Sequence, residues 1–180
     1  MRLTVEELLR SHVTTQRNRH LWDVPQADSF WRVAELPLLI EQGINTSAKL
    51  AAHYHFNPRQ SSYYRQAAEF LGLVRLDEIN HRYELTDLGR EYASRPADER
   101  RQLLAGILVH FPPMRAVLEL SATDGKSGVT KHQIADLIER HSTIRKSTPA
   151  RRASTLLSWL RWLESATGAV EVGPTSFTLR

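Results

Sequence analysis

The sequence has no cysteine. That excludes disulfides, thiolate catalysis and cysteine-ligated zinc together. Lysine is also scarce, with four against 20 arginines. Residues 1–20 are polar and basic, without the apolar stretch of a secretory leader. No uninterrupted apolar run approaches the ~18 residues that a membrane span needs. These absences lead us to expect a soluble, cytoplasmic protein. What is present is ordinary for a globular chain: 180 residues, 41% hydrophobic and 24% charged. That length fits one large or two small domains. It also buries roughly 70% of the unfolded surface, enough to dispense with a structural metal. No cofactor is expected.

Acidic residues are missing from three stretches. Residues 10–21 carry three Arg and two His, residues 42–68 carry Lys49, Arg59 and Arg65, and residues 140–163 carry six basic side chains. Together they hold +12 of formal charge, which leaves −8 elsewhere in a chain of net +4. Helical surfaces accumulate charge runs without function, but segregation on this scale is also how a polyanion-binding face looks in one dimension.

The apolar pattern from Phe30 reads helix, helix, helix, strand pair, helix. A first helix covers residues 30–42, is interrupted by Pro37 and closes at Gly43. Asn45 caps a second over residues 46–55. Asn57-Pro58 opens a third, with Tyr63, Ala67, Phe70 and Leu71 as its apolar stripe. After Gly72 the period becomes two: residues 73–76 and 82–85 are strands around a polar loop, and Thr86 caps a helix over residues 87–94. A linking helix over residues 96–110 ends at Pro112-Pro113, and the pattern then returns. An apolar helix spans residues 114–122 and a loop runs from Asp124 to Gly128. Thr130 with Gln133 makes a capping box. Thr148-Pro149 starts a further helix, and strands at residues 169–172 and 177–179 flank Gly173-Pro174. Aligning the two third helices from Arg59 and Arg152 gives a diverged repeat of about ninety residues. Ser61 then meets Ser154, Ser62 meets Thr155 and Ala67 meets Leu160.

Three helices followed by a two-stranded ribbon is the order of a winged helix-turn-helix. The expected fold is mainly α with short β-ribbons as wings. It comprises an N-terminal strap (1–28), a first winged-helix domain (29–95), a linking helix (96–111) and a second winged-helix domain (112–180). In such a fold the second helix of the pair presents its N-terminal residues to the DNA major groove. The first domain offers Arg59, Gln60, Ser61, Ser62, Arg65 and Gln66 there. The second offers Arg151, Arg152, Ser154, Thr155 and Ser158. Arg and Gln suit purine edges, and hydroxyls and cations suit phosphates. Lys49 and Lys131 near the preceding helix starts, Arg145 and Lys146 in the turn before the second recognition helix, and His81 and Arg82 at the first wing complete the DNA-binding set. The second wing carries no charge.

Two features stay open. Arg17-Asn18-Arg19-His20 reads either as an arm entering a minor groove or as part of a strap packed on the first domain through Leu21 and Trp22. Trp159 and Trp162 face away from Leu156, Leu160 and Leu163 in the repeat register. Either the linking helix or the other domain covers them, or they mark a partner surface. No catalytic motif accompanies the eight histidines: there is no H-E-x-x-H, phosphate loop or G-x-S-x-G. Asp124-Gly125-Lys126 lacks the strand and acid of a nuclease centre. No enzyme is expected within the chain.

Certain phrases resemble known families. Leu85-Thr86-Asp87-Leu88-Gly89 looks like the L-T-x-x-G exit from a wing into the next helix. Residues 62–74, with Tyr63-Tyr64 and Phe70-Leu71-Gly72-Leu73-Val74, resemble a recognition helix and strand entry of that class. Arg151-Arg152-Ala153-Ser154-Thr155 followed by Trp159-Leu160-Arg161-Trp162-Leu163 is similar to the second half of tandem winged-helix regions in prokaryotic restriction-modification proteins. The resemblance covers residues 29–180. It implies a nucleoid-associated module that reads double-stranded DNA beside a nuclease domain or subunit. Ending at Arg180, directly after the last strand, the chain reads as a module of something longer. The other readings are a winged-helix transcriptional regulator, or a protein-interaction adaptor that engages a partner through Trp159 and Trp162 without DNA.

Overall fold

The computed structural model describes Thr4, Glu7 and residues 22–124, 128–141 and 149–180. Arg17, Asn18, Arg19, His20, Arg145, Lys146, Thr148 and the middle of the 124–128 loop lie outside these. From Phe30 onward the described residues form eight helices and five strands, with the strands in two small antiparallel sheets. No single described helix is long and apolar enough to cross a membrane.

The first unit begins with α1 (Phe30–Glu41), which continues through Pro37 and ends at Gly43 with φ +83°. Seven of its residues, including Phe30, Val33, Leu36 and Ile40, are buried, because it packs between neighbours on several sides. Thr46, not Asn45, caps α2 (Ser47–Tyr54): its Oγ1 accepts from the Lys49 N–H. Asn57 accepts from the Arg59 N–H and Pro58 occupies the first turn of α3 (Pro58–Phe70), where its missing N–H costs nothing. Strands β1 (Val74–Asp77) and β2 (Arg82–Leu85) pair with Val74 opposite Leu85, and α4 (Asp87–Ser94) follows its Thr86 cap. The Tyr83 N–H donates to Asn45 O at 2.7 Å, which ties the approach to α2 onto β2.

The helix expected as a linker, α5 (Ala97–His110), is instead part of the interior. Leu104, Ala105, Ile107, Leu108 and Val109 on it are wholly buried. It turns by 79° at Phe111 into α6 (Pro112–Asp124). The second unit continues with β3 (Val129–Thr130), α7 (Lys131–His141), α8 (Pro149–Thr167), β4 (Val170–Val172) and β5 (Ser176–Leu179), and its sheet has the order β3-β5-β4. Strand β3 was not visible in the sequence, since two residues cannot display a period. Thr130 and Gln133 do form the reciprocal capping box, with contacts of 2.8 and 3.3 Å.

Both units share one continuous apolar core, with α1, α5 and α8 at its centre. The seam between them is aromatic: Phe30 lies 4.9 Å from Trp159 and 4.7 Å from Trp162, and Phe111 lies 5.8 Å from Trp159 (ring centroids). The Trp159 Nε1–H donates to Ala27 O at 2.8 Å. The two tryptophans are therefore covered from within the chain. A partner surface built on them is overturned, because Trp159 is fully buried and Trp162 nearly so.

Tyr92 anchors α4 on α1 by donating its hydroxyl to Ala34 O at 2.8 Å. Burial pushes its pKa from 10 up to about 12. The folded state thus holds the neutral phenol. The resulting stability is complete below pH 10 and is lost as the pH rises from 10 to 12. Burial likewise raises Tyr54 and Tyr64, so the chain should lose stability to denaturant steeply across that interval. Tyr92→Phe should flatten part of the loss; an unchanged slope in the variant would show that Tyr92 ionises freely.

Candidate nucleic-acid interface

Helix α3 has two unlike faces. Ser61, Tyr64, Ala67 and Ala68 are buried. Ser61 Oγ donates to Ser47 O at 3.0 Å and Ser47 Oγ to Pro58 O at 3.1 Å, so a small hydroxyl residue lets α2 and α3 lie close. Ser61 is consequently a packing residue and not a DNA contact. The inward tyrosine is Tyr64, not Tyr63. Arg59 and Gln60 are exposed, and Ser62, Tyr63 and Gln66 are half-exposed. Ser62, Tyr63 and Gln66 stand i+3, i+4 and i+7 from Arg59 and so line one side of the helix, with Gln60 at its edge. Among the described residues no side-chain hydrogen bond or ion pair engages any of the five. Arg65 does not join them: it is only 13% exposed and is ion-paired with Glu69 one turn on.

Sequence reasoning missed Tyr63. Adjacent tyrosines with a serine at the core position disguised the period, and the usable signal was the small-residue series Ser61, Ala67 and Ala68 on the other face.

Around α3, Lys49 is exposed but its Nζ donates to Gly43 O at 2.8 Å, closing the end of α1. His81 and Arg82 are exposed where the β1–β2 loop enters β2, and His81 adopts a left-handed φ of 51°. The loop is held by Asp77, which accepts from the N–H groups of Ile79 (3.0 Å) and Asn80 (3.2 Å) and from Asn80 Nδ2 (2.6 Å). The Asn80 contacts hold the Asp77 carboxyl below its usual range. Ile79 at the tip is 90% exposed.

The second unit departs further from expectation. Burial aligns α8 with α3 one residue away from the expected register. Ser61, Tyr64, Ala67 and Ala68 match Ala153, Leu156, Trp159 and Leu160, all buried, which sets Arg59 opposite Arg151 rather than Arg152. Arg152 is buried, its side chain 7% exposed and 4.0 Å from Asp23; loss of hydration holds its pKa below the ordinary guanidinium value. Thr155 is also buried, donating to Arg151 O at 3.4 Å. Ser154 donates to Ala150 O (3.0 Å) and Ser158 to Asp28 O (2.5 Å). Of this set only Arg151 is exposed and uncommitted. Lys131 lies beside Thr130, His132, Ala135, Ala150 and Thr175 around an open recess of about 390 Å³, and its N–H bonds Thr175 O at 2.7 Å. The start of α7, the start of α8 and the β4–β5 loop thus meet at one place.

The cause of the difference is the segment before α1, which runs from the end of α7 along α8. Trp22 stacks on His141 with ring centroids 4.2 Å apart, Asp23 faces Arg152, and Ala27 and Asp28 receive the bonds from Trp159 and Ser158. Asp28 also accepts from the Tyr64 hydroxyl at 2.6 Å, so one residue touches both α3 and α8. The described part of the strap is therefore packed, but Trp22 lies on the second unit, where the flat His141 ring gives it a stacking face, and not on the first domain as expected.

Beside it, the Arg32 guanidinium sits 5.3–5.7 Å from the rings of Tyr54, Phe56 and Tyr64 and donates to the Tyr64 hydroxyl, which raises its pKa. Tyr54 donates to Glu35 at 2.5 Å. This nest is a structural tie between α1, α2 and α3 that the sequence did not disclose.

The +12 of the acid-free stretches is accordingly not one open surface. Arg65 and Arg152 are committed internally, and Arg161 donates to the carbonyls of Gly173 and Pro174 at 3.1 and 3.2 Å. Among the described residues, Arg59, Arg140 and Arg151 of those stretches, and Arg82 and Lys131 outside them, have no side-chain hydrogen bond or ion pair. Among the described residues no group of three or more His, Asp or Glu is placed to hold a metal ion.

No curated protein and no solved structure matches the chain. A family model described as "Domain of unknown function (DUF7226)" matches residues 32–168, from the first turn of α1 to the glycine after α8, across both units and the helix between them. With its model spanning that whole core, the chain belongs to the DUF7226 family.

Proposed function

We propose that the chain binds double-stranded DNA through two winged-helix units, α1–α4 and α6–β5, with α3 entering the major groove. The observation that carries this reading is the uncommitted polar face of α3. Arg59, Gln60, Ser62, Tyr63 and Gln66 stand together on a helix whose surroundings in sequence, residues 42–68, contain no carboxylate. Its donors and acceptors are open to a ligand, and Arg and Gln match purine edges while Ser and Tyr suit phosphates. The topology supports the winged-helix reading. Each unit runs helix, strand-like segment, two helices and hairpin; the Asn45–Tyr83 bond in the first occupies the place of the β3–β5 pairing in the second.

Following the resemblance of the α8 region, we read the chain as the target-recognition part of a restriction-modification or related defence protein, with the nuclease on another domain or subunit. Burial of Trp159 and Trp162 counts against the adaptor alternative.

Anisotropy titration of a labelled duplex tests the reading. The logarithm of affinity should fall with the logarithm of salt by about 0.9 per phosphate contact. Arg59→Ala should weaken binding about ten-fold or more at fixed salt, within the range of a paired base contact. Absent binding, or binding indifferent to salt, would refute the proposal.

A further inference from the structure

We infer that base reading is confined to α3 and that the second unit grips the DNA backbone without reading sequence. The inference rests on the DNA-binding reading above and sharpens it. A side chain reads a base edge with donors and acceptors that are free to be spent there. On α3 all five polar side chains of the outward face are without a partner among the described residues. On α8 the corresponding hydrogens are already used: Ser154, Thr155 and Ser158 donate theirs to the main-chain oxygens of Ala150, Arg151 and Asp28. Arg152 is turned inward toward Asp23, and the aromatic pair that follows lies in the seam. At the two α8 positions that match Gln60 and Gln66 of α3, Arg152 and Ser158, the segment before α1 is already in contact through Asp23 and Asp28. Freeing them would require breaking both contacts.

The second unit retains Arg151 and Lys131, two cations at the starts of α8 and α7 with no side-chain partner among the described residues; Lys131 borders the recess with Ala150 and Thr175, and Arg151 follows Ala150 in the chain. A cation on a helix's first turn touches phosphate without any demand on the base. In the first unit, Tyr63 becomes a specificity-determining residue. It stands four residues after Arg59 and three before Gln66, and offers a hydroxyl for hydrogen bonding and a ring face for a thymine methyl.

The test is selection of bound duplexes from a random pool with the full chain, followed by affinity measurement. The wild type should return one short recognition tract. Tyr63→Ala and Gln66→Ala should relax preference at one or two adjacent positions, by about five-fold or more each, while far-UV melting stays unchanged. Arg151→Ala and Lys131→Ala should weaken binding to every duplex alike and lower the salt slope by about one phosphate each. Selection of two separated tracts, or a changed preference in Arg151→Ala or Ser154→Ala, would overturn the inference while DNA binding stood. Binding with no preference would do the same. A wild-type chain that binds no duplex would instead remove the DNA reading itself.

Discussion

Trp159→Ala is expected to cost about 3–5 kcal/mol, a large share of the roughly 5–15 kcal/mol that holds a domain together. The indole is wholly enclosed, touches Phe30 from the first unit and Phe111 from the α5–α6 corner, and bonds Ala27 O. Truncation removes those contacts and opens a cavity that rigid neighbours on three elements cannot collapse around. It also strips the Ala27 carbonyl of its donor. Trp159→Phe keeps most of the volume and should lose much less, leaving about 1 kcal/mol for the missing hydrogen bond and a further small term for shape. Urea unfolding followed by far-UV circular dichroism separates the two variants. A loss below about 1 kcal/mol for Trp159→Ala would mean that the seam contributes little.

The second large effect runs against helix propensity. Glycine inside a helix is worse than alanine by about 1 kcal/mol, so Gly→Ala ordinarily stabilises. At Gly89 in α4 the added Cβ would lie 1.9 Å from Leu73 O and 3.0 Å from Leu73 C, both main-chain atoms. Leu73 O is already fixed: it accepts from the Thr86 N–H at 3.1 Å, and the Thr86 hydroxyl, which caps α4 through the Gly89 N–H, donates to the neighbouring Gly72 O at 2.5 Å. Backbone cannot yield as a side-chain tip would. Gly89→Ala should therefore destabilise by about 2–3 kcal/mol or more and pry α4 from the entrance to β1. At Gly43 an added Cβ would meet nothing within 4 Å, so substitution there tests backbone strain alone. If Gly89→Ala melted at or above the wild-type temperature, the close approach of α4 to Leu73 would be disproved.

That contact explains why one phrase of the sequence was so readable. Thr86 and Gly89 are separated by the three residues a cap needs, and the glycine is where helix meets strand. Pro58, Thr130 with Gln133 and the return to period two after Gly72 were legible for the same reason: each acts through its own neighbours in the chain. What could not be read acts across space. Ser61 behaves as a core residue because Ser47 O satisfies its hydroxyl, and Arg152 does so because it turns toward Asp23. Charge counting treated every arginine as exposed, whereas Arg65, Arg152 and Arg161 are spent on Glu69, Asp23 and the β4–β5 loop. The free face of α3 was foreseen at Arg59, Gln60, Ser62 and Gln66, and Tyr63 emerged only once the inward tyrosine was known to be Tyr64.

All four tryptophans lie at or beside the joint between the two units: Trp22 on His141, Trp31 edge-on to Trp162 at 6.1 Å, and Trp159 and Trp162 against Phe30. None lies on α3. Tryptophan emission is thus an optical gauge of the joint alone, and Trp31, 55% exposed, is its most quencher-accessible member. A ligand settling on α3 would leave the spectrum untouched unless the halves shifted against each other. Any spectral change on binding would report that shift.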